Sequence, residues 1–192
     1  MMTSTEPPLI VGIGGTSMPG SSTERALAVA LAAAERAGAV TRLFGGEAMM
    51  RLPLYVPGVA DRSAAEHDFV ATVRAASGII IASPGYHGSV SGLVKNTIDL
   101  LEETAKDSRV YLADLPVGLI ATAYGWQATG STVAALRSIV HALRGWPTPF
   151  AATVNSQNCR FDAAGGCSDP AVAEQLAVVG RQVAQAALRD AA

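Results

Sequence analysis

The 192-residue sequence has few aromatic residues, few charged residues and no long hydrophobic run. Aromatic residues make up 5% and charged residues 16% of the chain, whereas 49% of its residues are hydrophobic. A core with few aromatics must be built from Ala, Val, Leu and Ile, which suits helices packed on a parallel sheet. The high apolar content excludes a disordered chain, and a chain of this length buries roughly 70% of its unfolded surface.

The chain also lacks an excess of charge of either sign. Its 14 basic and 16 acidic residues give a net charge of −2, and no run of like charges occurs. This excludes the basic surface of a nucleic-acid-binding protein and the acidic surface of a small electron carrier that docks by charge. Its apolar runs are far shorter than the ~20 residues that span a membrane, and no signal peptide is expected. We predict a cytoplasmic protein without a nucleic-acid or membrane partner.

Only two cysteines and three histidines are present. Cys159 and Cys167 share one polar, glycine-containing stretch, and their spacing is not that of a metal knuckle. We expect two free thiols in a loop rather than a disulfide or a metal pair, because cytosolic chains rarely use disulfides. Asp99, Glu102 and Glu103 face different directions on a predicted helix and lack a histidine, so no metal site is predicted.

Five apolar segments alternate with helical patterns along the chain. The predicted strands are 9–13, 39–44, 78–83, 115–123 and 148–154, and the predicted helices are 23–37, 62–76, 92–103, 131–143 and 170–188. The intervening stretches 45–60, 124–130 and 155–168 are predicted to be loops. This alternation predicts an open parallel α/β sheet with right-handed crossovers. Because the sequence has no repeat and no internal linker, residues 1–192 are predicted to form a single domain.

The first loop, Gly14–Ser22, combines glycines and hydroxyl groups just before a predicted helix. Ligands of such sheets bind beyond the carboxyl ends of the strands, and a helix N-terminus binds phosphate without Lys or Arg. The loop lacks the Gly-Lys-Ser/Thr ending of a P-loop and the spacing of GxGxxG. It therefore predicts a phosphate monoester rather than a triphosphate or a dinucleotide. The alternative is a plain helix cap formed by Ser21, Ser22 or Thr23.

Two further loops are predicted at the same edge of the sheet. In Pro84–Ser91, glycine and proline let the backbone approach a flat ligand, and Tyr86 can pack against its ring. His87 can act as an acid, but a polar contact is the favoured interpretation of a lone histidine at a loop tip. In Tyr124–Gly130, Trp126 can cover a ligand ring or pack against a second subunit.

These loops carry a resemblance to a known family. The first loop ends in Ser-Ser-Thr-Glu at residues 21–24, and Ser83–Asp99 is similar to a family pattern, S-P-x-Y-x-x-S-x-x-G-x-L-K-N-x-I-D. The sequence thus resembles the NADPH-dependent FMN reductases, which are flavodoxin-like proteins, over residues 9–153. The third loop departs from this pattern, since Tyr124 and Gly125 stand where many members carry two glycines.

The resemblance implies a flavodoxin-like three-layer sandwich whose five-stranded parallel sheet has the order 2-1-3-4-5. It also implies FMN as the cofactor, with NADPH or NADH as the reductant. The implied FMN-binding residues are Thr16, Ser17, Ser21, Ser22 and Thr23 in the first loop, Pro84, Gly85, Tyr86, His87, Gly88 and Ser89 in the second, and Ala123, Tyr124 and Gly125 in the third. Arg25, Arg51 and Arg144 are all candidates for contacting the 2′-phosphate of NADPH.

The implied function is hydride transfer from NAD(P)H to FMN by a homodimer or homotetramer, with supply of reduced flavin to a partner monooxygenase as one role. Two alternatives stay open: an FMN-containing quinone, azo or metal-oxyanion reductase, and a non-catalytic electron carrier, which the near-neutral charge disfavours. The cofactor itself accepts the hydride, so the protein need only orient the reactants. No catalytic side chain is therefore predicted.

Overall fold

The computed structural model describes residues 6–162 and 165–190 of the chain. The strands are β1 (Leu9–Gly14), β2 (Val40–Phe44), β3 (Gly78–Tyr86), β4 (Ser89–Val90), β5 (Pro116–Ala123) and β6 (Trp146–Asn155). The helices are α1 (Ser22–Arg36), α2 (Gly46–Met50), α3 (Ala64–Ala75), α4 (Gly92–Asp99), α5 (Trp126–Ala142) and α6 (Pro170–Asp190). A 3₁₀ segment, Leu100–Thr104, continues α4.

Five strands form a parallel sheet in the order β2-β1-β3-β5-β6. The short β4 pairs only with the end of β3, in an antiparallel hairpin. Without β4, this is the predicted order 2-1-3-4-5, which is therefore confirmed. The chain crosses from one side of β1 to the other between β2 and β3, so the crevice beyond the carboxyl ends of β1 and β3 is the switch point where such folds bind ligands.

Helices cover both faces of the sheet, which explains its unbroken apolar strands. Along β3, Ile79 and Ile81 belong to a buried cluster on one face, and Ile80 belongs to the cluster on the other. Helices α3, α4 and α5 complete the first cluster, whereas α1 and α6 complete the second. Side chains alternate across a strand, so three consecutive isoleucines are all buried in β3.

The contact between α1 and α6 shows how the chain forms a core with few aromatics. A Cβ atom at Gly180 would lie 2.0 Å from the carbonyl oxygen of Ala30, a separation that no side chain allows. The facing positions on α1 are the buried alanines Ala30 and Ala33. Small residues on both helices therefore let the two backbones approach closely.

The structure corrects three predicted boundaries. Helix α5 begins at Trp126, not at residue 131, so most of the predicted loop 124–130 is helical. Its N-cap is Gly125, which has no side chain to form a capping hydrogen bond and so no recognisable start signal. The predicted loop 45–60 contains the short helix α2, and β6 begins two residues before the predicted residue 148.

Helix α3 begins where the local sequence provides a capping box. Ser63 Oγ accepts a hydrogen bond from the backbone N–H of Glu66 at 3.3 Å, and Glu66 Oε2 accepts one from the N–H of Ser63 at 2.7 Å. Across residues 6–162 and 165–190, no helix combines the length and the apolar character needed to span a membrane.

Candidate functional site

The first loop ends at the N-terminus of α1, where Ser21 is the N-cap. Ser21 has an extended backbone, and its Oγ accepts a hydrogen bond from the N–H of Glu24 at 3.3 Å. Helical geometry leaves the N–H groups of Ser22 and Thr23 without an acceptor in the helix. The loop therefore presents free donors and the positive end of a helix dipole, which together bind an anion.

Glycines place the first loop directly against the start of α2. Gly15 has φ = +143°, and a Cβ atom there would lie 2.8 Å from the backbone nitrogen of Gly46. A Cβ atom at Gly46 would lie 1.8 Å from the carbonyl oxygen of Thr16. Glu24 Oε2 accepts a hydrogen bond from the N–H of Gly46 at 2.7 Å. The path of the loop thus depends on two positions where only glycine fits.

Thr16 closes a tight turn inside the first loop. Its Oγ1 accepts a hydrogen bond from the N–H of Met18 at 3.1 Å and donates one to the carbonyl oxygen of Met18 at 3.3 Å. Ser17, at the tip of this turn, is exposed, whereas Ser21 and Ser22 are half-buried. Of the predicted phosphate contacts in this loop, Ser17 is thus the most exposed and Thr23 the most buried.

Thr23 has a partner that sequence reasoning missed. Its Oγ1 lies 2.6 Å from Oγ1 of Thr122 on β5, and both residues are buried, with 2% and 4% of their surface exposed. The pair joins the start of α1 to the carboxyl end of β5. Thr122 was detectable as a polar residue in the otherwise apolar strand β5, but its pairing with Thr23 was not. The predicted contact of Thr23 with a phosphate stays a prediction.

Arg25 joins the first loop to the segment that follows β6. Its Nε donates to the carbonyl oxygen of Gly20 at 2.7 Å. Its Nη1 donates to the carbonyl oxygens of Phe161 and Asp162 at 2.8 and 2.5 Å. Arg25 was one of three candidates for the 2′-phosphate of NADPH, and the structure gives its guanidinium this bracing role.

The other two candidate arginines lie against their own neighbours. Arg51 forms an exposed ion pair with Glu47, one helical turn away. Arg144 lies over the ring of Tyr111, with its guanidinium carbon 6.0 Å from the ring centre. Neither contact brings a positive charge to the first loop. Arg25 does, because its guanidinium lies against the carbonyl oxygen of Gly20, and this charge adds to the positive end of the α1 dipole.

The second loop is a tight hairpin formed by β3 and β4. Gly85 and Tyr86 pair with Val90 and Ser89, and the two residues between, His87 and Gly88, have φ = +51° and +88°. Two positive φ values are typical of a type I′ turn, which matches the twist of paired strands. The segment predicted as a loop is therefore largely extended, with His87 exposed at its tip.

The base of the hairpin is held by two serines. Ser83 Oγ accepts a hydrogen bond from the N–H of Ser91 at 3.0 Å and donates to the carbonyl oxygen of Pro84 at 2.9 Å. Ser91 Oγ in turn accepts a hydrogen bond from the N–H of Val94 and caps α4. Because Ser83, Pro84 and Ser91 are buried, the hairpin projects from a fixed base.

The hairpin packs directly on the first turns of α5. A Cβ atom at Gly85 would lie 2.6 Å from Thr132 Oγ1, 3.0 Å from the carbonyl oxygen of Ala128 and 3.4 Å from Cβ of Ala123. Thr132 was not identified as a site residue, yet it sets this contact. The second and third loops are thus in contact, and the pair Thr23–Thr122 brings the first loop to the same edge.

Three exposed aromatic residues lie at this edge of the sheet, and we call them the aromatic rim. They are Tyr86, Tyr124 and Trp126, with 53%, 74% and 60% of their surface exposed. Tyr124 lies between the buried Ala123 and the helix cap Gly125. Flat aromatic faces beside a free helix start suit a ligand that carries both a planar ring and an anionic group. Within the described ranges, no three His, Cys, Asp or Glu side chains lie close enough together to hold a metal ion.

Residues 8–158 match a protein family described as NADPH-dependent FMN reductase. The chain belongs to this family. The predicted resemblance is therefore confirmed, and with it, at the level of the family, FMN as cofactor and NAD(P)H as reductant. The matched residues include all three loops and end before α6.

Individual relatives agree with the family. An FMN-dependent NADPH-azoreductase of Staphylococcus haemolyticus is 34% identical over 96 residues, which is 50% of this chain and 47% of the azoreductase. The match therefore spans about half the length of that relative.

Two solved structures share the flavodoxin-like fold. The flavoenzyme NAD(P)H:(acceptor) oxidoreductase FerB of Paracoccus denitrificans has a TM-score of 0.76 at 17% identity, covering 95% of this chain and 98% of FerB. A flavodoxin, WrbA-like protein of Agrobacterium tumefaciens has a TM-score of 0.68 at 18% identity, covering 95% and 98%. At these identities the likeness shows the fold alone, and it confirms the predicted flavodoxin-like class.

Proposed function

We propose that this chain is an NAD(P)H-dependent FMN reductase that binds the FMN phosphate at the first loop and the flavin ring along the hairpin and the aromatic rim. The observation that carries the proposal is the N-terminus of α1, which is capped by Ser21 and opens into a glycine- and serine-rich loop beside the carboxyl ends of β3 and β5. Family membership agrees with this reading of the geometry.

The residues of the first loop fit a phosphate monoester. Glycine positions bring the backbone close, Ser17, Ser21 and Ser22 supply hydroxyl groups, and the helix start supplies N–H donors. No lysine occurs between Gly14 and Thr23 to reach a second or third phosphate. Thr16, Ser17, Ser21, Ser22 and Thr23 are accordingly proposed as the phosphate side of the site.

The hairpin and the third loop fit a planar ring. Pro84, Gly85, Tyr86, His87, Gly88 and Ser89 are proposed on one side of the ring, and Ala123, Tyr124 and Gly125 on the other. When bound, FMN supplies hydride and electron transfer chemistry. This chain's residues bind the phosphate, orient the ring and direct backbone N–H groups toward it, which requires no catalytic acid or nucleophile.

A second candidate within the same chemistry is reduction of an external acceptor, such as an azo compound or a quinone. It is favoured by the relative whose name is FMN-dependent NADPH-azoreductase and by the open aromatic rim, which leaves room for a small flat molecule.

We further propose that residues 1–192 act as one FMN-binding domain in a cytoplasmic homodimer or homotetramer. Supply of reduced flavin to a partner monooxygenase is proposed as one role.

The test compares FMN with riboflavin, which has the same ring but no phosphate. The purified chain is expected to bind FMN more tightly than riboflavin in a fluorescence titration and to oxidise NADPH or NADH when FMN is present. Failure to discriminate between the two flavins would reject the phosphate cradle. If neither nucleotide is oxidised with FMN, a quinone or an azo dye, both enzyme functions are rejected and the non-catalytic electron carrier is the remaining hypothesis.

The choice between the two enzyme candidates needs a comparison of acceptors. Rates are measured with free FMN as the only acceptor and then with a quinone or an azo dye on enzyme that retains bound FMN. Faster turnover with free FMN supports flavin release to a partner, whereas faster turnover with the other acceptors supports the azo and quinone reductase.

A further inference from the structure

The segment between β6 and α6 brings the two cysteines of the chain together. Cys159 and Cys167 are free thiols, and their Sγ atoms are 3.1 Å apart. A disulfide bond is about 2.05 Å long, so the sulfur atoms need to move by only about 1 Å to form one. The sequence spacing of eight residues did not predict this contact.

Backbone hydrogen bonds around the two thiols hold them in this arrangement. Phe161 and Cys167 form an isolated antiparallel bridge, and the N–H of Ser168 donates to the carbonyl oxygen of Arg160 at 2.9 Å. The N–H of Arg160 also donates to Ser168 Oγ at 2.9 Å. Two short antiparallel stretches therefore face each other and carry the thiols toward one another.

The two thiols differ in their access to solvent. Cys159 is 2% exposed, whereas Cys167 is half-buried. Burial, together with the hydrogen bond to Cys167 and its proximity, raises the pKa of Cys159 to about 11. Because Cys167 is the more exposed of the two thiols, it is the sulfur that an external oxidant meets first, and Cys159 is the resolving partner.

We propose that Cys159 and Cys167 form a reversible intramolecular disulfide, and that hydrogen peroxide is the oxidant. In the first step the sulfur of Cys167 attacks one peroxide oxygen, the O–O bond breaks, and a sulfenic acid and one water form. In the second step Cys159 attacks the sulfur of Cys167, the S–O bond breaks, and a second water leaves with the Cys159 proton. Two thiols are oxidised and one peroxide is reduced to two waters.

The experiment uses the full chain, reduced and then freed of reductant, with hydrogen peroxide as the probe. We expect both thiols to be lost together, the intact mass to fall by two hydrogen atoms, and a digest to contain one peptide pair linking Cys159 to Cys167. Dithiothreitol should restore both thiols. None of these measurements requires flavin, so their outcome is independent of the proposed enzyme activity.

Two single variants serve as controls. In Cys159→Ser, Cys167 should stop at the sulfenic acid and react with dimedone, because its resolving thiol is gone. In Cys167→Ser, Cys159 should keep its thiol at the same peroxide dose, because it is buried. The proposal is overturned if the wild-type chain loses only one thiol, links two chains to each other, or carries Cys167 on to a sulfinic acid while Cys159 stays reduced.

Discussion

The first loop and the aromatic rim lie at the same edge of the sheet but are held in opposite ways. The first turn of α1, which follows the first loop, is tied by side chains to three distant parts of the chain: Thr23 bonds to β5, Glu24 to the start of α2, and Arg25 to the segment after β6. The rim aromatics are more than half exposed and follow only the backbone turns that carry them. The region of the first loop is therefore fixed by side-chain hydrogen bonds, whereas the aromatic rim is open to a ligand.

This difference separates two tasks in the proposed site. An anion is bound best by donors that are already in place, because ordering them at the moment of binding would cost free energy. A ring that must accept different partners benefits from open aromatic faces. Substitutions in the first loop should therefore change both stability and phosphate binding, whereas substitutions in the rim should leave stability unchanged.

The largest expected effect comes from placing a charge at the helix start. Ser21→Asp and Ser21→Asn both keep a good N-cap, but only Asp adds a carboxylate beside the phosphate. We expect Asp to weaken FMN binding by up to about 4 kcal/mol relative to Asn, the repulsion of two unit charges about 4 Å apart at an effective dielectric constant of about 20. Riboflavin binding should be the same in both variants. If fluorescence titration gave equal FMN affinities for the Asp and Asn variants, the phosphate would not bind at the first loop.

The bracing itself is tested at Gly46. In Gly46→Ala the new Cβ would lie 1.8 Å from the carbonyl oxygen of Thr16. We expect the free energy of unfolding to fall by about 3 kcal/mol, the upper end of the usual cost of overpacking, together with a loss of FMN binding. Gly130→Ala in α5 is the matched control, because its Cβ meets no atom within 4 Å. It should stabilise the helix by about 0.5–1 kcal/mol. Urea denaturation of both variants measures the contrast, and equal stabilities would show that the loop tolerates displacement.

The buried hydroxyl pair gives a smaller effect on stability. Thr122→Val leaves the Thr23 hydroxyl without its partner and should cost about 2 kcal/mol of unfolding free energy. The double variant Thr23→Val/Thr122→Val removes both polar groups and should cost less than the sum of the single changes. A double-mutant cycle, measured by urea denaturation, gives the interaction energy between the two hydroxyl groups. Simple additivity would mean that the pair does not brace α1 against β5.

The smallest effect is expected in the rim. Tyr124 is 74% exposed, so Tyr124→Ser should change the unfolding free energy by no more than about 0.5 kcal/mol. It should weaken binding of FMN and of riboflavin alike, by about 0.5–1.5 kcal/mol, because it removes a face for the ring and not for the phosphate. A selective loss of FMN binding would place Tyr124 at the phosphate end instead.

The strands and the first loop were predictable because their signals are local, whereas the strand order came from the family resemblance. Apolar runs mark β1 and β3, and residues 21–24 mark the start of α1. The braces were not predictable, since Thr23 and Thr122 are 99 positions apart and Arg25 lies 136 positions from Phe161. Contacts at such separations depend on the assembled sheet and leave no periodic pattern in the sequence.

The third loop was misread for a local reason. Trp126, Thr129 and Gly130 have poor or middling helix propensity, and the cap Gly125 provides no hydroxyl group. The predicted start at residue 131 therefore followed the stronger helix formers that come after it. Packing of α5 on the hairpin, through Thr132 and Ala128 at Gly85, overrides that weak propensity.

The brace made by Arg25 also fixes when the site can be finished during synthesis. A ribosome adds roughly 5–20 residues per second and releases the N-terminal part first. The first loop emerges early, yet the carbonyl groups of Phe161 and Asp162 that hold Arg25 are made 136 and 137 residues later. For several seconds the growing chain therefore contains the first loop without the hydrogen bonds from Arg25 to Phe161 and Asp162. The segment after β6 therefore completes the arrangement around a first loop that was synthesised long before it.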